Sequence, residues 1–235
     1  MDPVLTTREP ENKSHATPLL FVHGAWHGAW YWDEHFLPYF AQHGYVAHAL
    51  DLHGHGKSEG QEKLRWVSIA NYVSDVAQTA AQFERPPVLI GHSMGGLIVQ
   101  KYLETYQVPA GILLASVPPR GVLRTTLSIA RRHPLAFLKT NLTLKLYHIV
   151  GTSRLAHEAF FSAEMPEQQV NEYYTRVQNE SYRAFLDMLV FCLPRPQRVK
   201  TPMLVLGAEK DVIFIPREVE ATARAYATQA QIFPG

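Results

Sequence analysis

Nine residues constrain this chain more than any others: Val88-Leu89-Ile90-Gly91-His92-Ser93-Met94-Gly95-Gly96, an apolar run leading into G-x-S-x-G and then into a helical pattern from Leu97 to Tyr106. A buried strand that turns at once into a helix leaves the residue at the bend on a tight corner, held clear of the backbone in a strained conformation. Gly91 and Gly95 allow that corner, because side chains there would collide with the neighbouring strand or helix. Ser93 is thus a candidate nucleophile, since a hydroxyl attacks well only when a base takes its proton. The competing reading is a glycine-rich turn with an incidental serine, and the flanking strand and helix argue against it. The side chain of His92 is expected to point away from that of Ser93.

The rest of the chain supplies a setting for such a corner. Leu19 to His23, Val46 to Leu50, Val88 to Gly91, Gly111 to Ala115 and Met203 to Leu206 are short apolar runs bounded by turn residues, the mark of buried parallel strands. Trp32 to His43 predicts a helix closed by Gly44. Trp66 to Phe83 predicts another, with Ile69, Val73, Val76 or Ala77, Ala80 and Phe83 on one face and Pro86-Pro87 as its stop. Strand alternating with helix implies an α/β protein with a mostly parallel sheet flanked by helices, and ligands gather at the carboxyl ends of its strands. From Val122 to Arg198 the strand pattern gives way to helical segments broken by His133-Pro134, Gly151, Met165-Pro166 and Pro194 to Pro196. Residues 1–121 and 199–235 are therefore read as the core, and 122–198 as an inserted helical cap. The sheet resumes at Met203, a helix runs from Pro216 to about Thr228, and Gln231-Ile232-Phe233 begins a further strand.

Composition narrows the partners. Of the 235 residues 46% are hydrophobic and 18% charged, with a formal charge of +1, which describes a globular chain with no bulk attraction for nucleic acid. Met1 to Pro18 is polar and lacks the apolar stretch of a secretory signal, and the longest apolar runs are too short to cross a bilayer. Cys192 is the only cysteine, so an internal disulfide and a cysteine-ligated metal cluster are both excluded. It reads as a small buried apolar residue on a helix. Together these features set the expectation of a cytoplasmic protein.

A second marker precedes the first helix: Phe21-Val22-His23-Gly24-Ala25-Trp26-His27-Gly28-Ala29-Trp30. A strand ending in His-Gly can aim a main-chain N–H at an oxygen that becomes negative during acyl transfer, and the residue after the nucleophile supplies a second donor. Ala25 and Met94 are the residues so placed, with His23 and Gly24 shaping the loop. His23 and His27 lack a third ligand at metal-binding spacing and read as loop-shaping histidines, so neither a metal nor a cofactor is expected.

At this point the chain resembles the α/β-hydrolase superfamily, over nearly its whole length. Asp51-Leu52-His53-Gly54-His55-Gly56-Lys57-Ser58 looks like the Asp-x-x-Gly-His-Gly-x-Ser loop of many members. The His-Gly-Ala-Trp-His-Gly-Ala-Trp stretch is similar to that of plant methylesterases and hydroxynitrile lyases and of bacterial esterases and lysophospholipase-like enzymes. The resemblance implies a serine hydrolase of carboxylic esters, and it implies the order nucleophile, acid, histidine. Gly207 to Pro216 resembles the acid loop, which makes Asp211 the acid that orients the imidazole, with Glu209 a weaker candidate. Asp211 as a mere cap for the following helix is the alternative. The histidine is where the sequence departs from the pattern, because the last of twelve is His157, ahead of Asp211. His53, His55, His92 and His157 are all misplaced for the role. A truncated chain, a fragment completed by another chain and a pseudoenzyme are the three explanations, and the otherwise intact site favours the first. The chain as given is expected to turn over little substrate. Other chemistry on the same machinery, such as hydroxynitrile lysis or carbon-carbon bond hydrolysis, and non-catalytic small-molecule binding are the alternatives. Dehalogenases and epoxide hydrolases of this fold carry Asp where Ser93 stands.

The cap has its own pattern. Between Arg120 and Arg154 there is no acidic residue, whereas Arg124, Arg131, Arg132, Lys139 and Lys145 lie between them. A basic amphipathic lid of this kind suits weak contact with an anionic membrane surface, although a plainly solvated face would show the same composition.

Overall fold

A computed structural model describes residues 3–234. Its centre is a seven-stranded sheet. The strands are β1 (Val4–Arg8), β2 (Leu19–Val22), β3 (Ala47–Asp51), β4 (Val88–His92), β5 (Gly111–Leu114), β6 (Met203–Ala208) and β7 (Ala230–Phe233), in the spatial order β1-β3-β2-β4-β5-β6-β7. All neighbours pair in parallel except β1, which runs antiparallel to β3 from Val4 opposite Asp51 to Arg8 opposite Ala47. Every residue of β2 is buried, as a central strand covered on both faces requires. Leu20 and Val22 enter one core with Leu89, Leu97, Ile98 and Tyr72; Leu19 and Phe21 enter the opposite one with Trp32, Leu37 and Ile90.

Helices α3 (Ile69–Ala80), α4 (Met94–Tyr102) and α10 (Pro216–Ala225) supply the first core, and α1 (Trp30–Asp33) and α2 (Phe36–Gln42) the second. On that second face the cover thins toward β5 and β6. There Ile112 and Leu114, with their register partners Leu204 and Leu206, are only half-buried. Between β5 and β6 the chain is helical: α5 (Leu123–Arg132), α6 (Pro134–Thr143), α7 (Ser153–Phe160), α8 (Glu167–Tyr174) and α9 (Tyr182–Leu186), the last continuing into a π-type turn over Asp187–Phe191. No helix among the described residues is long and apolar enough to cross a membrane.

Several elements differ from what periodicity implies. β1 is a strand where the sequence reads only as polar; an edge strand paired on one side is half-exposed and carries no apolar run. The helix expected over Trp32 to His43 is two helices, broken at His35. The one expected from Trp66 begins at Ile69, because Ser68 is its cap: the Ser68 hydroxyl accepts the Asn71 N–H and the Asn71 side chain accepts the Ser68 N–H. Residues Gln61–Trp66 form a separate 3-10 turn. The helix after Ser93 starts at Met94 and stops at Tyr102, four residues short of the sequence reading. Cys192 is not within a helix but caps the π-type turn, half-buried, and burial raises its thiol pKa.

Candidate active site

The bend between β4 and α4 has the geometry that its glycines imply. Ser93 sits at φ 52° and ψ −117°, a conformation that costs a non-glycine residue about 1–3 kcal/mol and persists only where neighbours over-determine it. Here they do. The Ser93 N–H donates to the Leu114 carbonyl at 3.2 Å, and its own carbonyl accepts the N–H groups of Gly96 at 3.0 Å and Val117 at 3.1 Å. A Cβ on Gly91 would lie 2.4 Å from the Gly95 carbonyl oxygen, and one on Gly95 would lie 2.2 Å from that of Val22. Both positions therefore admit glycine alone without movement of backbone. The Ser93 side chain is half-exposed, and its hydroxyl has no hydrogen-bond partner among the described residues. The His92 ring stacks on Tyr31 at 5.1 Å and meets Trp32 edge-on at 6.3 Å. Burial, reinforced by the charge of His27, lowers its pKa to about 3, and its Nδ1 is buried without a partner among the described residues.

The loop after β2 passes directly over this serine. A Cβ on Gly24 would stand 3.0 Å from the Ser93 Cβ and 3.0 Å from the His92 Nδ1, so the Gly24 backbone lies against the bend itself. Two main-chain donors lie nearby without a partner among the described residues: the N–H groups of buried Ala25 and Met94. His23 and His27 brace the loop from within. The His23 Nδ1–H donates to the Gly24 carbonyl at 2.8 Å while its Nε2 accepts the Leu52 N–H at 3.2 Å. The His27 Nδ1–H donates to the Ala25 carbonyl at 2.7 Å. Burial pushes the pKa of His23 well below its ordinary value and that of His27 to about 4, so both are neutral braces. Among the described residues no three His, Cys, Asp or Glu side chains are grouped to hold a metal ion.

The Asp51 loop is tied to the same region by a carboxylate. Asp51 Oδ1 accepts the Ala29 N–H at 2.6 Å and Oδ2 the Lys57 N–H at 3.1 Å. A Cβ on Gly56, itself at φ 52°, would fall 2.1 Å from Oδ1.

Sequence reasoning missed the polar cluster that joins these loops to the inserted helices. Glu180 is fully buried; its Oε1 accepts the Tyr72 hydroxyl at 3.0 Å and the Ser181 N–H at 2.6 Å, and its Oε2 accepts from His55 Nε2 at 3.1 Å and the Trp26 N–H at 3.3 Å. The other ring nitrogen of His55 lies 3.1 Å from the His53 carbonyl, so both nitrogens face acceptors and the ring is held as the imidazolium. Burial alone would lower the His55 pKa, but the Glu180 charge and both hydrogen bonds outweigh it and raise it. Burial likewise pushes Glu180 up, and the His55 charge with hydrogen bonds from His55, the Ser181 N–H and the Tyr72 hydroxyl brings it below its ordinary value. Gln178 completes the cluster: its N–H donates to the Trp26 carbonyl at 3.0 Å, its Oε1 accepts the Gly56 N–H at 2.8 Å and its Nε2–H donates to the Gly54 carbonyl at 3.0 Å. Trp26, at φ 65°, thus has both main-chain polar groups gripped by residues 178–180. No sequence signal marked it: Glu180 stands in the polar run Gln178-Asn179-Glu180-Ser181, with nothing to show which of many acidic residues is buried.

Asp211 occupies the loop after β6, two strands away from Ser93 and on the same carboxyl edge. Its Oδ1 accepts the N–H groups of Ile213 at 2.7 Å and Phe214 at 2.9 Å, and Oδ2 has no partner among the described residues. Burial raises its pKa, and the two N–H donors offset part of that rise. Neither Asp211 nor Ser93 is hydrogen-bonded to a histidine among the described residues. Glu209 takes part through its main chain, donating to the Phe233 carbonyl at 2.9 Å.

Known proteins resemble this chain in sequence over part of its length and in fold over nearly all of it. The chain is 38% identical over 106 residues to a non-heme chloroperoxidase of Streptomyces lividans, a match covering 43% of this chain and 37% of that one. It is 37% identical over 81 residues to a pyrethroid hydrolase of Sphingobium wenxiniae, covering 34% and 28%. These matches thus span well under half of the curated relatives. Among solved structures, a carboxylesterase of Nitrososphaera gargenis superposes with a TM-score of 0.72 at 16% identity, covering 99% of this chain and 86% of that one. The enol-lactonase of Burkholderia xenovorans gives 0.70 at 16% identity, covering 99% and 88%. At such identities the likeness speaks for the fold. The sequence profile of the alpha/beta hydrolase family matches residues 19–235, and with the seven-stranded sheet and the bend at Ser93 in place this chain belongs to that family.

Proposed function

We propose that this chain carries the machinery of a serine hydrolase acting on carboxylic esters through an acyl-enzyme. The observation that supports the reading is the strained Ser93 with the Gly24 backbone lying against its Cβ, beside the Ala25 and Met94 N–H groups that have no partner among the described residues. In this reading Ser93 Oγ forms a bond to the acyl carbon, the carbonyl oxygen becomes negative between the two donors, and the alcohol leaves with the proton taken from Ser93. Water then releases the acid by the same steps in reverse order. The reading requires a proton carrier that Asp211 can orient through Oδ2, and none of the twelve histidines takes that place among the described residues. Residues 122–198 act as the cap over this site, and Gly91, His92 and Gly95 hold its floor.

No histidine within residues 1–235 follows His157. Residues 1–235 alone are therefore expected to hydrolyse p-nitrophenyl acetate slowly, since loss of the base of a serine triad costs on the order of a million-fold in kcat in the well-studied subtilisin case. Added imidazole is expected to raise the rate above that of free imidazole in solution, with acetyl recovered on Ser93 by mass spectrometry and both effects absent in Ser93→Ala. Unchanged imidazole-dependent turnover in Ser93→Ala would refute the assignment.

A further inference from the structure

The outer face of α5 and α6 is apolar where a helix exposed to water should be polar. Leu123, Leu127, Leu135, Leu138 and Leu142 are 56%, 47%, 80%, 55% and 76% exposed. Positions 135, 138 and 142 follow the three-and-four spacing that puts side chains on one helix face, so α6 presents a continuous leucine stripe. Cations stand around it: Arg124, Arg131 and Arg132 line a groove along α5 together with Leu127 and Ser128, and exposed Lys139 lies within the stripe. Arg124 is held by Glu218 at 2.7 Å, whereas Arg131 and Arg132 have no acidic partner among the described residues. No Asp or Glu occurs anywhere between Arg120 and Arg154.

We propose that this face docks on an anionic lipid bilayer. The charge decides the occupant. A second copy applied face to face would bring arginines against arginines with no carboxylate on either helix to offset them. A bilayer surface answers both features together: leucines enter the acyl boundary while guanidinium and ammonium groups reach lipid phosphates at the headgroup level. The surface adjoins the candidate active site, because the Thr125 hydroxyl on α5 donates to the Ile213 carbonyl of the Asp211 loop at 3.0 Å. The docking does not depend on the hydrolase reading.

Sedimentation of the purified chain with sucrose-loaded vesicles tests it. The protein is expected to sediment with phosphatidylcholine vesicles containing about 30 mol % phosphatidylserine and to stay in solution with phosphatidylcholine alone, with binding falling as salt is raised. Arg131→Gln with Arg132→Gln is expected to weaken binding roughly 30-fold, about 5-fold for each charge. Leu135→Ser with Leu138→Ser and Leu142→Ser is expected to weaken it at least about 10-fold. Because these side chains are exposed, both variants should keep the parent melting temperature. Equal binding to neutral and anionic vesicles, no binding to either, or undiminished binding by the leucine variant would overturn the proposal. So would a concentration-dependent dimer abolished by the leucine changes in a chain that ignores vesicles, which would assign the face to a second copy.

Discussion

Glu180→Ala is expected to lower the melting temperature by roughly 10 °C or more, the largest loss among changes remote from the β4–α4 bend. Truncating one partner of a buried ion pair costs about 3–5 kcal/mol, because the other charge stays buried without compensation, and in a chain of this length each kcal/mol shifts the midpoint by about 2–4 °C. Here the carboxylate serves the Tyr72 hydroxyl, the Ser181 N–H, the Trp26 N–H and His55 at once, so its removal orphans four donors. The pair itself is a different matter. Replacing both members by apolar residues of similar volume, as in His55→Leu with Glu180→Met, removes the desolvation cost along with the attraction. The double variant is therefore expected to be more stable than the sum of the two single changes implies. Thermal melts of the four proteins measure this coupling. A Glu180→Ala midpoint within about 2 °C of the parent, or strict additivity in the double variant, would show that the cluster is not an interacting unit.

Acid should unfold this protein early. His23, His27 and His92 are buried neutral, with pKa values held well below 6.5, to about 4 for His27 and about 3 for His92, chiefly by burial. In the unfolded chain each binds a proton near pH 6.5. The unfolded state therefore holds more protons as pH falls below 6.5, and stability drops along the way toward the folded pKa of each ring. Between pH 6.5 and pH 5 each contributes about 2 kcal/mol of loss. His92 reaches the surface in part, so the sum is about 4–6 kcal/mol, or a fall of roughly 10–20 °C in the midpoint. His55 has the opposite sign. Its raised pKa makes the contribution of its pairing with Glu180 complete below pH 6.5 and lost as pH rises through the folded value, so stability peaks near neutrality. Melting temperatures at pH 7 and pH 5 test the slope, and His92→Phe, which keeps the stack on Tyr31, should make it shallower. Equal midpoints at the two pH values would mean that these rings are protonated in the folded state as readily as in the unfolded one.

The elements legible in the sequence were those whose burial is complete. β2 and β4 read as strands because both faces are covered and almost every residue is apolar, and the corner at Ser93 read as a corner because only glycine fits at 91 and 95. β1 did not, since an edge strand paired on one side carries no apolar run. The break at His35 and the late start at Ile69 escaped for a related reason: apolar periodicity continues through both, and only a cap or a backbone angle reveals the interruption.

Local order was thus written in the sequence: glycines mark the positions where backbone approaches backbone, and unbroken apolar runs mark strands enclosed on both sides. Only the tertiary structure decided which polar residues matter to the site. Glu180 lies 125 residues from His55 and 154 from Trp26, and no periodicity relates them. A buried charge becomes tolerable only when folding brings its partners within hydrogen-bond reach, so its place is a property of the assembled core rather than of any segment.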